Sequence, residues 1–437
     1  MKFDQLHLWF LGDPQAPRCV GTLRLVDGGK GVSLQYGSDW IASGFALSED
    51  LPLSDLEHRP RDRLAAGTHV AVGAVDDARP DRWGERVIQY IDRPRRLSLM
   101  EYLFFAGDDR FGALGVSTSE TQYLPRQDGP LPRLKQAQEL SEVVAKIAAA
   151  EPITERERAV LRGGGSFGGA KPKALIGIGG EQWVLKFFNN EPFDSPLVEH
   201  ATMTLAAKAG IRVAETQVIT LADKLHAVAV RRFDRSGEQR IHGISAGTAL
   251  RAAAAAGQAP EMGYPELALL LRRAGVAEGE ANAQDATELF RRMVFNILVD
   301  NTDDHEKNHS LLVVAPWDNG RFRLAPAYDV LPSNSGQGRQ EFICGDFGHD
   351  ATLENAMSRC QSFGLDARQA ALQVERIIAV VDTWKAHFAA CGVSAGDIAQ
   401  LEQRLDGDEL LGQRRTFDAG SYASTPARRP RRSPFSR

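Results

Sequence analysis

Asp303 and Asn308 stand five residues apart in the polar segment 301–308, which reads Asn-Thr-Asp-Asp-His-Glu-Lys-Asn. Phosphoryl-transfer enzymes use an Asp to orient the attacking hydroxyl and an Asn to hold Mg²⁺ at this spacing. Apolar residues at 287–299 and 311–314 predict a buried helix before the segment and a strand after it. Because such a junction presents polar side chains at the edge of a core element, the pattern predicts a catalytic loop.

Lys186 lies inside the apolar segment 183–188, which predicts a strand. A lysine within such a strand needs an anionic partner unless its side chain faces solvent. Glu199, on the next predicted helix, is the better candidate partner, and Glu191 is the alternative. Lys186 follows Gly169 by 17 residues (186 − 169), so one hairpin could bring it beneath the glycine-rich segment. The pattern is similar to the lysine strand of protein kinases.

Two further features fit nucleotide chemistry but are weak when taken alone. The segment 163–170 reads Gly-Gly-Gly-Ser-Phe-Gly-Gly-Ala, and glycine lets backbone N–H groups approach a phosphate closely. It is not a Walker A motif, because no Gly-Lys-Ser/Thr ends it. Asp329 follows a predicted strand at 322–324, in the position of a metal-binding Asp, although an isolated Asp there is more often a turn residue.

The elements that must position these residues form four segments. Residues 1–124 contain short alternating apolar runs that predict a β-rich subdomain. Residues 125–235 begin with a Pro-rich linker at 125–132 and then predict strand, strand, helix, strand, strand. Residues 236–420 are predicted to be mostly helical, including single helices at 366–389 and 394–405, and residues 421–437 to be a disordered basic tail. The fold class is therefore α+β, with two lobes beside the N-terminal subdomain.

Composition excludes several classes of protein. With 437 residues, 43% hydrophobic and 25% charged, the chain reads as a soluble globular protein of two or three domains, without a secretory signal or a membrane span. The four cysteines form no CxxC pair, which argues against a zinc site or a disulfide framework and favours the cytoplasm. The net charge of −5 argues against general nucleic-acid binding, although the last ten residues carry five arginines and no acid.

Together these motifs resemble the HipA family of serine/threonine kinase toxins from bacterial toxin–antitoxin modules. The resemblance extends to about Gly420, and its most specific part is the combination of 302–308 with 328–330. The other matching segments are 79–88, 107–112, 166–173, 183–188 and 231–235. The family implies a two-lobed, protein-kinase-like fold that uses ATP and Mg²⁺.

The resemblance also implies a role for each matching residue. Asp303 would orient or deprotonate the attacking hydroxyl, Lys186 would contact the ATP phosphates, and Asn308 and Asp329 would hold Mg²⁺. Ser166 would be an autophosphorylation site in the glycine-rich loop, where a phosphate would oppose ATP binding by charge repulsion. The remaining nucleotide-binding residues implied by the family are Phe167, Gly168, Gly169, Lys173, Arg231, Phe233 and His305.

Two of these positions depart from the family pattern. Phe167 is bulkier than expected, and Arg231 stands in the hinge 230–233, where an acidic residue is often found. The implied partners are a HipB-like helix-turn-helix antitoxin, DNA through that antitoxin, and a protein substrate such as an aminoacyl-tRNA synthetase. No membrane partner is expected.

Other functions remain open from the residues. One is a small-molecule kinase of the aminoglycoside type, and another is an antitoxin-binding transcriptional co-regulator that serves as a scaffold. A third is a metal-dependent phosphohydrolase, because Asp and His clusters bind metals. Its ligands would be Asp303, Asp304, His305 and His309.

Overall fold

A computed structural model describes residues 2–60, 70–126, 129–162, 171–188, 191–255, 258–317 and 320–422. The predicted glycine-rich loop at 163–170 and the basic tail from residue 423 onward lie outside the described residues. The mixture of helix and sheet confirms the α+β class. Within the described ranges, no helix combines the length and the apolar character needed to cross a membrane.

The N-terminal subdomain is a twisted sheet flanked by short helices. Its strands follow the order β4-β3-β2-β1-β6, and β5 pairs in parallel with β3. The apolar runs that predict strands in this subdomain are confirmed as β1, β2 and β3; nearly all residues of β1 and β3 are buried, whereas β2 is buried only in part. The elements are β1 (Gln5–Phe10), β2 (Arg18–Val26), β3 (Gly31–Tyr36), α1 (Ser38–Ser43), β4 (Glu57–His58), β5 (Val70–Ala71), α2 (Ala74–Asp77), α3 (Arg82–Ile91), α4 (Leu99–Phe105) and β6 (Leu114–Ser117).

The small lobe follows as an antiparallel sheet in the order β7-β8-β10-β9, covered by helices. Its elements are α5 (Ala137–Ala148), α6 (Glu155–Arg162), β7 (Lys173–Ile178), β8 (Glu181–Lys186), α7 (Ser195–Lys208), β9 (Thr216–Thr220) and β10 (His226–Arg231). Gly179 and Gly180 make the β7–β8 turn with φ of 61° and 88°, a backbone conformation that glycine adopts without strain. The predicted order of strand, strand, helix, strand, strand is confirmed.

The large lobe is mostly helical around a three-stranded sheet in the order β13-β14-β15. After the short hairpin β11 (Arg235–Ser236) and β12 (Gln239–Arg240), its elements are β13 (His242–Ser245), α8 (Ala246–Ala253), α9 (Tyr264–Ala274), α10 (Ala281–Leu298), β14 (Ser310–Val313), β15 (Phe322–Leu324), α11 (Leu353–Ser358), α12 (Ala367–Val381), α13 (Trp384–Ala390), α14 (Ala395–Leu405) and α15 (Asp408–Thr416). Short 3-10 helices lie at Asp27–Gly29, Leu134–Gln136, Ala222–Lys224, Glu278–Glu280, Glu306–Asn308, Cys360–Phe363 and Ala419–Tyr422.

One predicted helix, at 366–389, is in fact two. The chain leaves helical geometry at Thr383, whose hydroxyl donates to the Val380 carbonyl at 2.7 Å. This break separates α12 from α13 and lets the indole of Trp384 be buried almost completely. The apolar spacing continues through the break, so the sequence pattern alone did not reveal it.

The N-terminal subdomain is tied to both lobes. Trp83 and Val87 on α3 pack into the small-lobe core against side chains of α5, β7 and β8. Just after β10, the buried carboxylate of Asp234 accepts hydrogen bonds from Arg232 at 2.8 Å and from Arg235 at 2.9 Å. Its Oδ2 also accepts from the Gly112 backbone N–H at 2.7 Å. Because buried charges need several partners, this network holds the loop before β6 against the junction between the lobes.

Candidate functional site

A buried ammonium group joins three elements at the centre of the site. Lys186, at the end of β8, is 5% exposed. Its Nζ lies 2.6 Å from Oε1 of Glu199 on α7 and 2.8 Å from Oδ1 of Asp329, which follows β15. Of the two candidate partners, Lys186 therefore pairs with Glu199, the better candidate, and not with Glu191. The contact to Asp329 links the small lobe to the large lobe through one lysine.

Electrostatics fix the charge state of this cluster. Burial disfavours the charged form of Lys186, but the carboxylates of Asp329 and Glu199 outweigh it and raise the lysine pKa. Burial also opposes ionisation of Asp329, yet Lys186 and Lys173 hold the pKa of that carboxyl far below its usual range. The site thus contains a permanent cation beside a permanent carboxylate at neutral pH.

Asp329 has an unusual backbone conformation. Its φ is 58°, in the left-handed region that residues other than glycine adopt infrequently. The preceding Tyr328 is anchored, because its hydroxyl donates to the Lys307 carbonyl at 2.7 Å and lies 2.7 Å from the Ser310 hydroxyl. The strained turn and its anchor direct the Asp329 carboxylate towards Lys186.

The two neighbouring aspartates of the catalytic loop have opposite environments. Asp304 is buried, accepts a hydrogen bond from the Tyr264 hydroxyl and lies 2.8 Å from His309 Nε2. Asp303 is exposed, and its backbone N–H donates to the Ser333 hydroxyl at 3.2 Å. Asp304 therefore anchors the loop to the large-lobe core, and Asp303 is the carboxylate available to a ligand.

A cavity of about 340 Å³ brings the predicted reactive groups together. Asp303, Asn308 and Asp329 all line it, although they come from two separate segments of the chain. The other lining residues include Lys171, Glu191, Phe193, Ser333, Ser335 and Glu341. Partial desolvation at this cavity raises the pKa of Asp303, His305 opposes the rise, and Asp329 adds to it.

The oxygen donors in this cavity fit a magnesium ion. The Asn308 amide nitrogen donates to the Asp303 carbonyl at 3.3 Å, which leaves the amide oxygen for another ligand. Asp329 uses Oδ1 to accept from Lys186. Mg²⁺ prefers oxygen ligands and commonly takes only one or two from the protein, with water and phosphate oxygens completing its shell. Asn308 and Asp329 supply that donor set.

The N-terminal subdomain also contacts and supports the site. Asp81, next to the start of α3, pairs with Lys307 of the catalytic loop at 2.8 Å. The indole N–H of Trp83 donates to the Lys173 carbonyl at 2.7 Å. Lys173 is buried, and desolvation lowers its pKa although Asp329 opposes that shift. Asp81 and Trp83, at the start of α3, thus support the catalytic loop and the strand β7, respectively.

The other predicted site residues are not all gathered at the cavity. The side chain of Arg231 pairs with Glu181 and Glu215 on the exposed face of the sheet, both at 3.2 Å. The backbone N–H groups of Arg231 and Arg232 donate to the carbonyls of Glu215 and Gln182. Neither N–H is therefore left for the nucleotide, which the family resemblance expects Arg231 to bind.

Phe233 and His305 support the site without lining the cavity. Phe233 packs against the Tyr328 ring, with ring centroids 5.2 Å apart. His305 Nδ1 accepts from the Lys307 backbone N–H at 3.2 Å and so braces the catalytic loop. The predicted loop residues Ser166, Phe167, Gly168 and Gly169 lie outside the described residues.

Sequence reasoning missed several residues of the site. Ser333 caps the catalytic loop from the following segment, and Glu341 donates its backbone N–H to the Thr302 carbonyl at 3.1 Å. Asp81 pairs with Lys307 and was not among the predicted site residues. These contacts join segments more than 30 residues apart, and no local spacing signals them.

The geometry does not favour the metal-hydrolase ligand set. Asp304 and His309 bond to each other inside the core, while Asp303 faces the cavity. Across the described ranges, no group of three or more His, Cys, Asp and Glu side chains is arranged to hold a metal. The four residues of that hypothesis are therefore divided between two environments.

Two family models and a curated relative match parts of this chain. A model of the HipA N-terminal domain matches residues 15–117, and a model of the HipA-like C-terminal domain matches residues 165–385. The protein "Putative kinase Y4dM" of Sinorhizobium fredii is 31% identical over 177 residues. That match covers 38% of this chain and 40% of the relative, so the chain spans less than half of that protein.

One solved structure shows the same fold, and a second aligns with part of the chain. The HipA–HipB–operator DNA complex of the Shewanella oneidensis toxin–antitoxin system aligns with 96% of this chain and 100% of the matched chain, at a TM-score of 0.66 and 18% identity. The Helicobacter pylori proinflammatory kinase CtkA aligns with 58% of this chain and 95% of its own, at a TM-score of 0.40 and 14% identity. The first alignment confirms the predicted two-lobed, kinase-like fold along nearly the whole chain.

The contrast between Asp303 and Asp304 can be tested by unfolding. We expect Asp304→Ala to lower the free energy of unfolding by about 3 kcal/mol, because it leaves the buried groups of Tyr264 and His309 without their partner. The matched variant Asp303→Ala should stay within about 0.5 kcal/mol of wild type, since its side chain is exposed. Equilibrium urea unfolding measures both, and equal losses would contradict the division of roles.

Proposed function

This chain belongs to the HipA family, and we propose that it is a kinase that transfers the γ-phosphoryl group of Mg-ATP to serine or threonine side chains of proteins. The observation that carries the proposal is the contact of Lys186 with both Glu199 and Asp329, beside a cavity that also contains Asp303 and Asn308. Phosphoryl transfer depends mainly on positioning and charge stabilisation, and these residues supply both.

Lys186 would hold the nucleotide phosphates. Glu199 fixes the ammonium group from α7, where the carboxylate is completely buried and its Oε2 has no hydrogen-bond partner within the described ranges. Asp329 occupies the other side of the ammonium. Phosphate oxygens bring negative charge to the same cation, so Lys186 can exchange its contact to Asp329 for one to phosphate. Asp329 is then free to face the metal.

Asn308 and Asp329 would hold Mg²⁺ through their oxygen atoms. When bound there, the ion neutralises charge on the phosphates and helps to align the transferred group. Lys171, which lines the cavity, and Lys173, buried beside Asp329, add positive charge on the small-lobe side. The positive charge of these lysines balances the negative charge of the phosphates, which the carboxylates of the cavity alone would repel.

Asp303 would orient the attacking hydroxyl. Its carboxylate faces the cavity while its backbone N–H is held by Ser333, so its position does not depend on the substrate. The hydroxyl oxygen forms a bond to the γ-phosphorus, the bond from that phosphorus to ADP breaks, and the hydroxyl proton passes towards Asp303. The raised pKa of Asp303 makes it a better proton acceptor than an ordinary aspartate.

The family membership supports a biological role as the toxin of a toxin–antitoxin module. We propose that a HipB-like helix-turn-helix protein is the antitoxin, that DNA is contacted through it, and that the substrate is a translation protein such as an aminoacyl-tRNA synthetase. We also propose that Ser166 is autophosphorylated. A phosphate there would bring about two negative charges to the nucleotide site and oppose ATP binding.

Phosphoryl transfer can be tested with γ-labelled ATP and Mg²⁺. We expect wild type to incorporate label into its own Ser166, and Asp303→Ala to reduce the rate by roughly 10²- to 10⁴-fold, the range for loss of a positioned base. The variant Asp55→Ala, which removes an exposed aspartate of the N-terminal subdomain, serves as control. Phosphate release without labelled protein would support a hydrolase, and label on an added aminoglycoside alone would support a small-molecule kinase.

Toxicity can be tested by expression in bacteria. We expect wild type to arrest growth and Asp303→Ala, at equal protein level, to leave growth unaffected, because the arrest requires phosphoryl transfer. Co-expression of a helix-turn-helix protein encoded beside this gene should restore growth. Equal arrest by wild type and Asp303→Ala would contradict a catalytic origin of toxicity and would favour a scaffold role.

A further inference from the structure

The cavity has an acidic side that the proposed ATP chemistry does not use. Glu191 and Glu341 line the cavity and are exposed. Asp350, also exposed, belongs to the same folded segment as Glu341, because Arg339 and Asp350 form an antiparallel bridge. Within the described ranges, none of these three carboxylates takes part in an ion pair. We name Glu191, Glu341 and Asp350 the acidic rim.

Glu191 and Glu341 of the acidic rim line the same cavity as Asp303, the residue proposed to orient the phosphoacceptor. Carboxylates repel phosphate, so they are poorly suited to nucleotide and well suited to a basic peptide. Phe347, 52% exposed, lies between Glu341 and Asp350 in the same segment and adds an apolar contact. A ligand that matches this surface carries several arginines close to a hydroxyl, with an aromatic residue nearby.

The chain itself contains such a segment. Residues 428–437 read Arg-Arg-Pro-Arg-Arg-Ser-Pro-Phe-Ser-Arg, with no acid. Ser433 directly follows Arg431 and Arg432, and Phe435 comes two residues later. Basic residues immediately before a serine are a pattern that kinases with acidic substrate grooves recognise.

A chain of contacts leads from the last described residues towards the cavity. The 3-10 helix Ala419–Tyr422 packs against α12, and the Glu354 carboxylate on α11 adds to the burial that raises the pKa of the Tyr422 phenol. Three residues before Glu354, the Ala351 N–H donates to the Gly338 carbonyl at 3.0 Å, next to cavity-lining Gln337. From Tyr422 to Ser433 there are 11 residues (433 − 422), which span up to about 36 Å when extended.

We propose that the arginine-rich segment 428–437 docks on the acidic rim and that Ser433 is a phosphoacceptor of this site. The inference rests on the proposed kinase function. In the reaction, Ser433 Oγ forms a bond to the γ-phosphorus of ATP, the bond to ADP breaks, and the hydroxyl proton passes to Asp303. The resulting phosphoserine adds negative charge beside Arg431 and Arg432, which weakens their attraction to the rim and releases the segment.

The test incubates the full chain with Mg-ATP and maps phosphoserines by mass spectrometry, as phosphate at each site per ADP formed. We expect Ser433 to carry at least about tenfold more phosphate than Ser436, and Glu341→Arg to lower the Ser433 ratio about tenfold. The matched control Glu278→Arg reverses an exposed charge that does not line the cavity and has no ion pair among the described residues, so it should leave the ratio unchanged. Adding Arg432→Glu to Glu341→Arg should restore most of the loss.

Three results would overturn the inference, and they differ in what they leave standing. Phosphate on Ser166 with Ser433 no higher than Ser436 would reject the tail as substrate and leave the kinase intact. Phosphorylation of Ser433 that ignores Glu341→Arg would reject the acidic rim as its docking site. Absence of both ADP and phosphoserine would reject the kinase function and the inference together.

Nucleic acid is the alternative binding partner of these arginines. Retention of a fluorescent DNA duplex by the full chain, lost when Arg431 and Arg432 are both changed to serine, would assign the segment to nucleic acid if Ser433 also stays unmodified. We expect wild type and this double variant to retain the duplex equally, and Ser433 to carry phosphate in wild type and less in the double variant.

Discussion

A buried lysine cannot remain charged without carboxylates, and this constraint organises the molecule. Lys186 has one partner from α7 and one from the segment after β15, so this ammonium group joins the small lobe to the large lobe. Removal of both carboxylates would leave a buried charge unbalanced, which is strongly unfavourable. In the proposed kinase the same cluster accepts phosphate, because the polyanion replaces Asp329 at the cation. Stability and ligand binding thus depend on one set of contacts.

The rest of the structure holds the residues of this site in position. Asp304 anchors the catalytic loop to the core, so that Asp303 is presented to the cavity by a fixed backbone. Asp81 and Trp83 extend the support to the N-terminal subdomain, which contacts both Lys307 and Lys173. The subdomain is therefore part of the scaffold of the site, and its loss would disturb residues that it does not itself supply.

Much of this arrangement could be predicted from the sequence, and the limits have physical causes. Strands β1–β3, β7–β8 and β9–β10 follow from apolar alternation and glycine turns, which are local signals. The importance of Lys186 follows from the cost of burying it in a strand. The ties made by Ser333, Glu341 and Asp81 join distant segments and leave no local pattern. The family resemblance expects Arg231 near nucleotide, but its exposed side chain pairs with Glu181 and Glu215 and does not line the cavity.

The exchange of Asp329 for phosphate at Lys186 is the central claim, and calorimetry tests it most directly. The affinity for a non-hydrolysable ATP analogue would be measured with and without Mg²⁺ in wild type, Asp329→Asn and Lys186→Met. We predict that Mg²⁺ strengthens binding to wild type by roughly tenfold or more, that Asp329→Asn removes this gain but keeps metal-free binding, and that Lys186→Met weakens both. A full Mg²⁺ effect in Asp329→Asn, or unaltered affinity in Lys186→Met, would contradict the account.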